Sequence, residues 1–215
     1  MPVQFIRNLH PGLSYEQGAS YLVLWHITEQ VSELKALLSE RLQDTNSRTS
    51  GDHIHWLASR AALMHFFPRQ NVEIIKDAFN KPHLLVDAEP AHISITHSHE
   101  LAAVIVSKER HVSVDLERVD ARIERVEKKF CSASELKMSS GPDKFKYLSV
   151  IWSAKETLYK FYGKKELHFD TQLSISPFKI SGEDFLVEGS IVKDEKREIL
   201  IHAEFIRDYV LTWIP

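Results

Sequence analysis

The stretch "SVDLERVD", residues 113–120, combines the alternation of a β-strand with two closely spaced carboxylates. Val114 and Leu116 alternate with Asp115 and Glu117. Side chains two positions apart on a strand point to the same face. The stretch therefore predicts a strand that presents both acids on one side, about 6–7 Å apart at the backbone.

Two interpretations of these neighbouring acids are open. Two carboxylates repel each other unless a cation or a basic side chain lies between them, and hard oxygen ligands at this spacing suit Mg²⁺ better than zinc. The alternative is the solvated outer face of an amphipathic strand, with Arg118 as a partial neutraliser. By itself, the octapeptide favours the solvated face.

The patterns on either side of this strand mix helices with strands. Upstream, they predict a strand at 20–28, helices at 29–42 and about 52–67, a strand running into a turn at 91–100, and a helix or buried strand at 101–107. Downstream, they predict helical structure at 122–138, a helix at about 143–163 and β-rich structure from 172 onward. The fold class is therefore α+β, with an N-terminal half over 1–108 and a C-terminal half over 109–215.

Composition excludes several functional classes. The 215 residues are 43% hydrophobic and 27% charged, which is typical of a globular protein, and the formal net charge of −3 argues against a nucleic-acid binder. The single cysteine, Cys131, excludes an internal disulfide framework and fits a reducing compartment. The sequence shows no export signal and no apolar run long enough for a membrane span. We therefore expect a cytoplasmic protein without membrane or nucleic-acid partners.

A second stretch, "IWSAKETLYKFYGKK" at 151–165, predicts an amphipathic helix with Glu156 and Lys160 on the face opposite its apolar stripe. An acid and a base four positions apart commonly form a surface pair worth about 0.3–0.5 kcal/mol. Trp152 and Lys155 flank this pair. A large aromatic side chain with two lysines and a carboxylate suits a phosphorylated ligand bound through a metal.

Taken together, "SVDLE" at 113–117 and "WSAKETLYK" at 152–160 resemble the paired signature of the 4′-phosphopantetheinyl transferases, a (G)-(I/V)-D-x-E strand followed by a W-x-x-K-E-(A/S/T)-x-x-K helix. Four further stretches are similar to family segments: "HWLASRAAL" at 55–63, "NKPHL" at 80–84, "ISITHSHELAAVIVS" at 93–107 and "FCSASEL" at 130–136. The resemblance covers about residues 48–165, and the two-half organisation is similar to the larger, usually monomeric class.

The resemblance implies a fold of two similar α/β subdomains related by pseudo-two-fold symmetry. It also implies an enzyme that transfers the 4′-phosphopantetheine arm of coenzyme A to a serine of an apo acyl or peptidyl carrier protein. The implied reaction needs Mg²⁺ and releases adenosine 3′,5′-bisphosphate. We accordingly expect coenzyme A and a carrier protein as partners, and a monomer.

The resemblance also assigns roles around the two signatures. Three carboxylates would hold Mg²⁺: Asp115, Glu117 and Glu156. Glu156, or a water that it orients, would take the proton of the attacking serine, and Lys160 would neutralise the phosphate under attack. Asp115 and Lys160 would also contact coenzyme A. Lys155 would contact either the phosphates or the carrier, and the sequence does not decide between them.

For the nucleotide end of coenzyme A, the resemblance implies a second group of residues. Lys81 and Pro82 would contact the adenine, and Arg60 and His97 would meet the 3′-phosphate. Thr96 and Ser98 would offer hydroxyls nearby. Basic residues of the first 47 positions stay open as further candidates, with Lys35, Arg41 and Arg48 considered.

The sequence departs from the family pattern in four places. They are Asn80 and Ser113, where glycine is usual, Thr96, where serine is usual, and Thr157, where alanine is usual. Ser113 raises the question of how closely the backbone approaches a ligand there.

Two other functions remain open. One is a different Mg²⁺-dependent phosphoester enzyme, and the other is a non-catalytic module that binds coenzyme A or a carrier protein. Five lysines between the signatures could face an acidic carrier or could simply be solvated: Lys128, Lys129, Lys137, Lys144 and Lys146.

Overall fold

The computed structural model describes residues 3–38, 50–164, 167–193 and 195–215. By their contacts the residues form two compact units, one extending to Val112 and including Pro215, and the other running from Ser113 to Ile214. The predicted helix at 29–42 is observed as α1 (Val31–Ala36). Residues 39–42 of that prediction, which include Arg41, lie outside the described residues, and so does Arg48.

The first unit contains a six-stranded antiparallel sheet. Its strands are β1 (Val3–Asn8), β2 (Ser20–His26), β3 (Val72–Lys76), β4 (Pro82–Val86), β5 (Glu89–Ser98) and β6 (Leu101–Ser107). Their order across the sheet is β1-β2-β6-β5-β4-β3. The long helix α2 (Ser50–Phe66) packs on this sheet, mainly against β6, β2 and β5.

Apolar residues of α2 pack with residues of the sheet to form the core of this unit. Leu57, Ala58 and Ala61 are almost completely buried and belong to one cluster with Trp25 of β2 and Val104 of β6. All seven residues of β6 are buried, so the strand lacks a polar alternation. This is why the sequence could not distinguish a helix from a buried strand at 101–107.

The second unit contains a five-stranded antiparallel sheet. Its strands are β7 (Ser113–Arg118), β8 (Leu173–Ile175), β9 (Asp184–Val192), β10 (Lys196–Ile206) and β11 (Tyr209–Ile214), in the order β7-β11-β10-β9-β8. Helix α5 (Lys144–Tyr162) packs mainly against β7 and β11. It ends at Gly163, whose φ of 72° lies in the left-handed region that glycine tolerates.

The predicted helical segment 122–138 is interrupted. The structure has a 3₁₀ helix at Ala121–Val126, then α3 (Glu127–Phe130) and α4 (Ala133–Met138). The break has a local cause, because Ser132 accepts from the backbone of Glu135, whose side chain accepts in turn from the Ser132 backbone. Such a capping box starts a new helix rather than continuing the old one.

Two units that each combine helices with an antiparallel sheet confirm the predicted α+β class. In the described part of the chain, no helix is long and apolar enough to cross a membrane.

Candidate active site

Strand β7 is buried on both faces. Val114 and Leu116 are fully buried on one side, and on the other Ser113 is fully buried and Asp115 is 4% exposed. The solvated-face interpretation is therefore wrong. Arg118 is exposed, and its Nε donates to Asp208 Oδ2 at 2.7 Å.

Asp115 is held by two donors from α5. Its Oδ1 accepts from Lys160 Nζ at 2.7 Å, and its Oδ2 accepts from Ser153 Oγ at 2.9 Å. Thr212 of β11, the register partner of Asp115, lies with its Oγ1 2.9 Å from Ser153 Oγ. Thr157 Oγ1 lies 2.7 Å from the same Thr212 oxygen.

The directions of these bonds follow from the single proton of each hydroxyl. Because Ser153 donates to Asp115, it must accept from Thr212. Thr157 in turn donates to Thr212, mainly to Oγ1 at 2.7 Å and more weakly to the carbonyl at 3.3 Å. This buried relay, consisting of Thr157, Thr212 and Ser153, ends on the Asp115 carboxylate. Ser113 joins it from β7, since its Oγ donates to the Thr157 carbonyl at 2.7 Å. Two departures from the family pattern, Ser113 and Thr157, thus meet at one place between helix and sheet.

Glu117 is held by an aromatic donor instead. Its Oε1 accepts from Trp152 Nε1 at 3.0 Å. The Trp152 ring contacts Phe130 edge-on at 5.1 Å between centroids and stacks with Phe169 at 5.4 Å. Burial, followed by the charge of Asp115, raises the pKa of Glu117 to about 7.

Glu156 belongs to the same group of acids. Burial, followed by the charge of Asp115, also raises the pKa of Glu156 to about 7, while Lys160 opposes this shift. The structure therefore brings together the four residues that the sequence assigned to metal binding and catalysis, namely Asp115, Glu117, Glu156 and Lys160.

The donor set fits a hard divalent cation in its chemistry. All three ligand candidates are carboxylates, and two of them have a pKa raised in part by the third, a repulsion that a cation would relieve. Among the described residues, however, no group of three His, Cys, Asp or Glu side chains is arranged to hold a metal ion. The oxygens of Asp115 instead accept from Lys160 and Ser153. Binding a cation would therefore require local side-chain adjustment.

Lys155 occupies a different place from the expected one. It is fully buried, and its Nζ donates to Glu135 Oε2 at 2.8 Å and to the carbonyls of Phe130 and Phe169 at 2.6 and 2.7 Å. These three acceptors use all three ammonium protons. The expectation that Lys155 contacts phosphates or a carrier is therefore wrong.

In the first unit, Arg60, Pro82 and His97 line one cavity of about 280 Å³. The guanidinium of Arg60 lies 4.1 Å from the centroid of the Trp56 ring and donates to Ser59 Oγ at 3.0 Å. The imidazole of His97 stacks on that of His55 at 4.4 Å. The cavity thus combines a fixed guanidinium with the imidazole of His97, which is itself stacked on His55.

Lys81 lies in a neighbouring concavity of the same unit, with His83, His92 and His111. Its Nζ is 2.5 Å from His111 Nε2, and burial lowers the pKa of Lys81. The preceding Asn80 has a φ of 65°, the left-handed region, which glycine and asparagine adopt most readily. This conformation explains how asparagine can stand where the family has glycine.

Thr96 and Ser98 lie on the opposite face of β5 from His97, because neighbouring side chains of a strand alternate. Both are buried, and neither lines the cavity of Arg60 and His97. The expectation that their hydroxyls lie beside His97 is wrong.

Sequence reasoning missed four residues that contact the acids or their neighbours on α5: Ser153, Thr212, Glu135 and Phe169. Thr212 had a usable signal, because it is a lone threonine in the mainly apolar run "YVLTWI". Ser153 and Glu135 stand inside quoted motifs without an assigned role. Phe169 carries no pattern that distinguishes it from an ordinary core residue.

A family model described as the 4′-phosphopantetheinyl transferase superfamily matches residues 111–214, which include β7, α5 and β11. This part of the chain therefore belongs to the 4′-phosphopantetheinyl transferase superfamily. Members transfer phosphopantetheine to carrier proteins and generally use coenzyme A and a divalent metal. No curated protein sequence matches the chain.

Proposed function

We propose that this protein is a Mg²⁺-dependent holo-carrier-protein synthase that transfers the 4′-phosphopantetheine arm of coenzyme A to a serine of an apo carrier protein. One observation carries the proposal. Three carboxylates and a lysine, partly or almost fully buried, lie together between β7 and α5, within the part of the chain that matches the superfamily.

Asp115, Glu117 and Glu156 would hold the cation. When bound, Mg²⁺ would neutralise pyrophosphate charge and polarise the phosphoryl group under attack. Carboxylate oxygens are the protein ligands that Mg²⁺ prefers, and its preference over other divalent ions is part of the proposal.

Lys160 is placed to bind a phosphate oxygen. Its Nζ donates to Asp115 Oδ1 at 2.7 Å and to the Val114 carbonyl at 3.2 Å, and its third proton can donate to the ligand. The side chain is 28% exposed, so the ammonium group can meet both the protein and a substrate. It would thereby reduce the charge on the phosphate during attack.

Glu156 would accept the proton of the carrier serine, directly or through a water. A carboxylate beside the reacting phosphate can serve as a general base for a hydroxyl proton. The serine oxygen forms a bond to phosphorus, and the bond from that phosphorus to the oxygen of adenosine 3′,5′-bisphosphate breaks. The proton passes to Glu156, and the bisphosphate leaves with the bonding electron pair.

For the nucleotide end, we assign Arg60 and His97 to the 3′-phosphate, because their cavity offers a fixed guanidinium and an imidazole. Lys81 and Pro82 are assigned to the adenine. Pro82 lines both concavities of the first unit, so it lies between these two groups.

An acidic carrier would dock on the 3₁₀ helix and α3 of the second unit. Arg122, Arg125, Lys128 and Lys129 are exposed there, and Val126 is 39% exposed among them. Of the other expected lysines, Lys144 pairs with Glu124 and Glu127, and Lys146 pairs with Asp143. Lys137 lies on α4, outside this surface. Lys128 and Lys129 are therefore the lysines that we favour for the contact.

The test is an intact-mass assay. The protein is incubated with coenzyme A, MgCl₂ and a panel of apo acyl, peptidyl and aryl carrier proteins. We expect one carrier class to gain the mass of one phosphopantetheine, and adenosine 3′,5′-bisphosphate to appear in equal amount. Cleavage of coenzyme A without a modified carrier would instead favour another phosphoester enzyme, and neither event in a folded protein would refute the proposal.

A further inference from the structure

Lys155 stands next to the proposed catalytic residue Glu156, yet its ammonium group points into the interior of the second unit. A fully buried lysine is rare because removing its charge from water costs several kcal/mol unless partners satisfy it. Here Glu135, 1% exposed, supplies the opposite charge. The question is what such a buried ion pair contributes beside an active site.

Glu135 ties the pair to two further segments. Its Oε1 accepts from the backbone N–H of Ile175 at 2.8 Å, and its Oε2 accepts from the backbone N–H of Ser132 at 2.6 Å. Lys155 and Glu135 thus join five parts of the unit: α5, the end of α3, the start of α4, the loop before β8, and β8 itself.

The two carbonyls that Lys155 holds belong to the two aromatic residues around Trp152. Phe130 and Phe169 each offer their backbone oxygen to Lys155 Nζ, and each packs its ring against the Trp152 indole. The indole in turn donates to Glu117. A continuous path of contacts therefore leads from the buried ammonium to a proposed metal ligand.

We propose that Lys155 is a positioning residue, which fixes Phe130 and Phe169 around Trp152 so that the indole N–H holds Glu117 in the orientation needed for the cation. The proposal rests on the proposed function, because it takes Glu117 as a metal ligand. It also explains why the interior holds a lysine. A single ammonium group can bind two carbonyls and a carboxylate from three segments, which no apolar side chain can do.

The experiment compares wild type with Lys155→Met, using Lys196→Met as the matched control. Lys196 forms an exposed pair with Glu198 at 2.7 Å, so the control removes a lysine–glutamate pair at the surface instead of the interior. Three quantities are measured on folded protein: the Mg²⁺ concentration for half-maximal transfer, the shift of the unfolding temperature on adding MgCl₂, and the alkylation rate of Cys131. Cys131 is the single cysteine of the chain, is 5% exposed, and follows Phe130 directly.

In Lys155→Met we expect the half-maximal Mg²⁺ concentration to rise about 10- to 100-fold, as for other residues that orient metal ligands. We also expect a smaller Mg²⁺-induced rise of the unfolding temperature and faster alkylation of Cys131, while Lys196→Met resembles wild type. Unchanged Mg²⁺ dependence in folded Lys155→Met would overturn the proposal. So would a raised KM for coenzyme A or carrier with unchanged Mg²⁺ dependence, because that result assigns Lys155 to substrate contact.

A double variant separates positioning from stability. In Lys155→Met, Glu135 is left as a buried unpaired charge, and Glu135→Gln in the same chain removes that charge. We expect the double variant to unfold at a higher temperature than Lys155→Met yet to keep the raised Mg²⁺ requirement. Recovery of the wild-type requirement together with stability would show a merely structural role.

Two further arms keep the test decisive. If Lys155→Met does not fold, Trp152→Phe keeps the aromatic packing and removes only the N–H that Glu117 accepts, and the Mg²⁺ requirement must still rise. If wild type transfers nothing but gains unfolding temperature with MgCl₂, the proposed function fails. A smaller gain in Lys155→Met would then still support the positioning role.

Discussion

Both units pack one long helix on an antiparallel sheet, but the two contacts differ in chemistry. Helix α2 meets its sheet through apolar side chains such as Leu57 and Ala61. Where α2 buries a hydroxyl, at Ser59, that group donates to the Trp56 carbonyl within the same helix. Helix α5 instead extends polar side chains across to the sheet, where Ser153 reaches Asp115 and Thr157 reaches Thr212.

This difference teaches why the acids lie where they do. Buried polar groups must find partners, so a relay of hydroxyls between helix and sheet allows only one rotation and one register of the helix. In the second unit this constraint keeps Ser153 and Lys160 of α5 on Asp115 of β7. An apolar contact such as that of α2 would stabilise the unit but would specify the positions of side chains less strictly.

The largest expected effect comes from removing the acids that the polar contact positions. Glu117→Ala and Glu156→Ala should each reduce transfer by at least about 100- to 1,000-fold, because each removes charge stabilisation of the reacting phosphate. Both should stay folded, since in each a buried, repelled carboxylate is lost. Initial rates on the responsive carrier and circular dichroism measure the two effects.

Glu198→Ala is the control for these variants, because Glu198 is exposed and pairs with Lys196. Full activity of either Glu117→Ala or Glu156→Ala would refute the three-acid site.

A smaller effect tests the helix–sheet contacts themselves, by exchanging their chemistry. Thr212→Val removes a hydroxyl from the relay and should lower the free energy of unfolding by about 1–3 kcal/mol. Val104→Thr introduces a hydroxyl into the apolar contact of α2 and should lower it by a similar amount, about 1–3 kcal/mol. Only Thr212→Val should also slow transfer. Urea unfolding measures the loss of stability, and initial rates measure the loss of transfer. Slower transfer in Val104→Thr but not in Thr212→Val would contradict the role given to the polar contact of α5.

A still smaller effect concerns Ser113, where the family has glycine. Ser113→Gly removes the bond to the Thr157 carbonyl and adds backbone freedom, so we expect it to lower the free energy of unfolding by about 1–2 kcal/mol. Ser113→Ala should show only the loss of the bond, about 1 kcal/mol. Transfer should stay within about threefold of wild type, because Asp115 keeps its bonds to Ser153 and Lys160. A larger loss of kcat/KM in either variant would mean that a ligand contacts Ser113.

The acids and the lysine of the second unit could largely be predicted from the sequence. The acids of "SVDLE", together with Glu156 and Lys160, were identified because strand and helix periodicities and a family signature coincide on them. The orientation of Lys155 was not predictable, because its partners Glu135, Phe130 and Phe169 lie at unrelated distances along the chain. Periodicity also predicted an open face for β7, since it records alternation but not which elements cover each side.

The burial of Thr96 and Ser98 on the far face of β5 shows a related limit. A motif names residues that are adjacent in sequence, while a strand separates adjacent side chains onto opposite faces. His97 and its neighbours therefore could not all line one cavity. Tertiary partners, which no local pattern contains, account for the errors at Lys155 and β7, whereas strand alternation accounts for the error at Thr96 and Ser98.

The smallest expected effect contrasts the charges that the two units crowd together. The second unit places acids close together, whereas the first places bases close together around His111. His111 faces Lys81, His92 and His83. Asp77 contributes the opposite charge, through its bond to His83. Burial, followed by the charge of Lys81, lowers the pKa of His111 to about 4.

Between about pH 6.5 and 4, the His111 imidazole is therefore protonated in the unfolded chain but neutral in the folded chain. His111 therefore contributes a decline of the free energy of unfolding as the pH drops from about 6.5 to 4. The raised pKa values of Glu117 and Glu156 contribute a change of the opposite sign over part of this range.

His111→Gln should flatten this decline, and Lys81→Met should flatten it less, because burial is the larger cause of the shift and Lys81 the smaller. Urea unfolding at several pH values between 4 and 7.5 measures the slopes. Some slope should remain in both variants, since burial and the charge of Lys81 also lower the pKa of His92. A slope in His111→Gln equal to that of wild type would show that His111 is solvated in the folded state, and that crowding of charge distinguishes only the second unit.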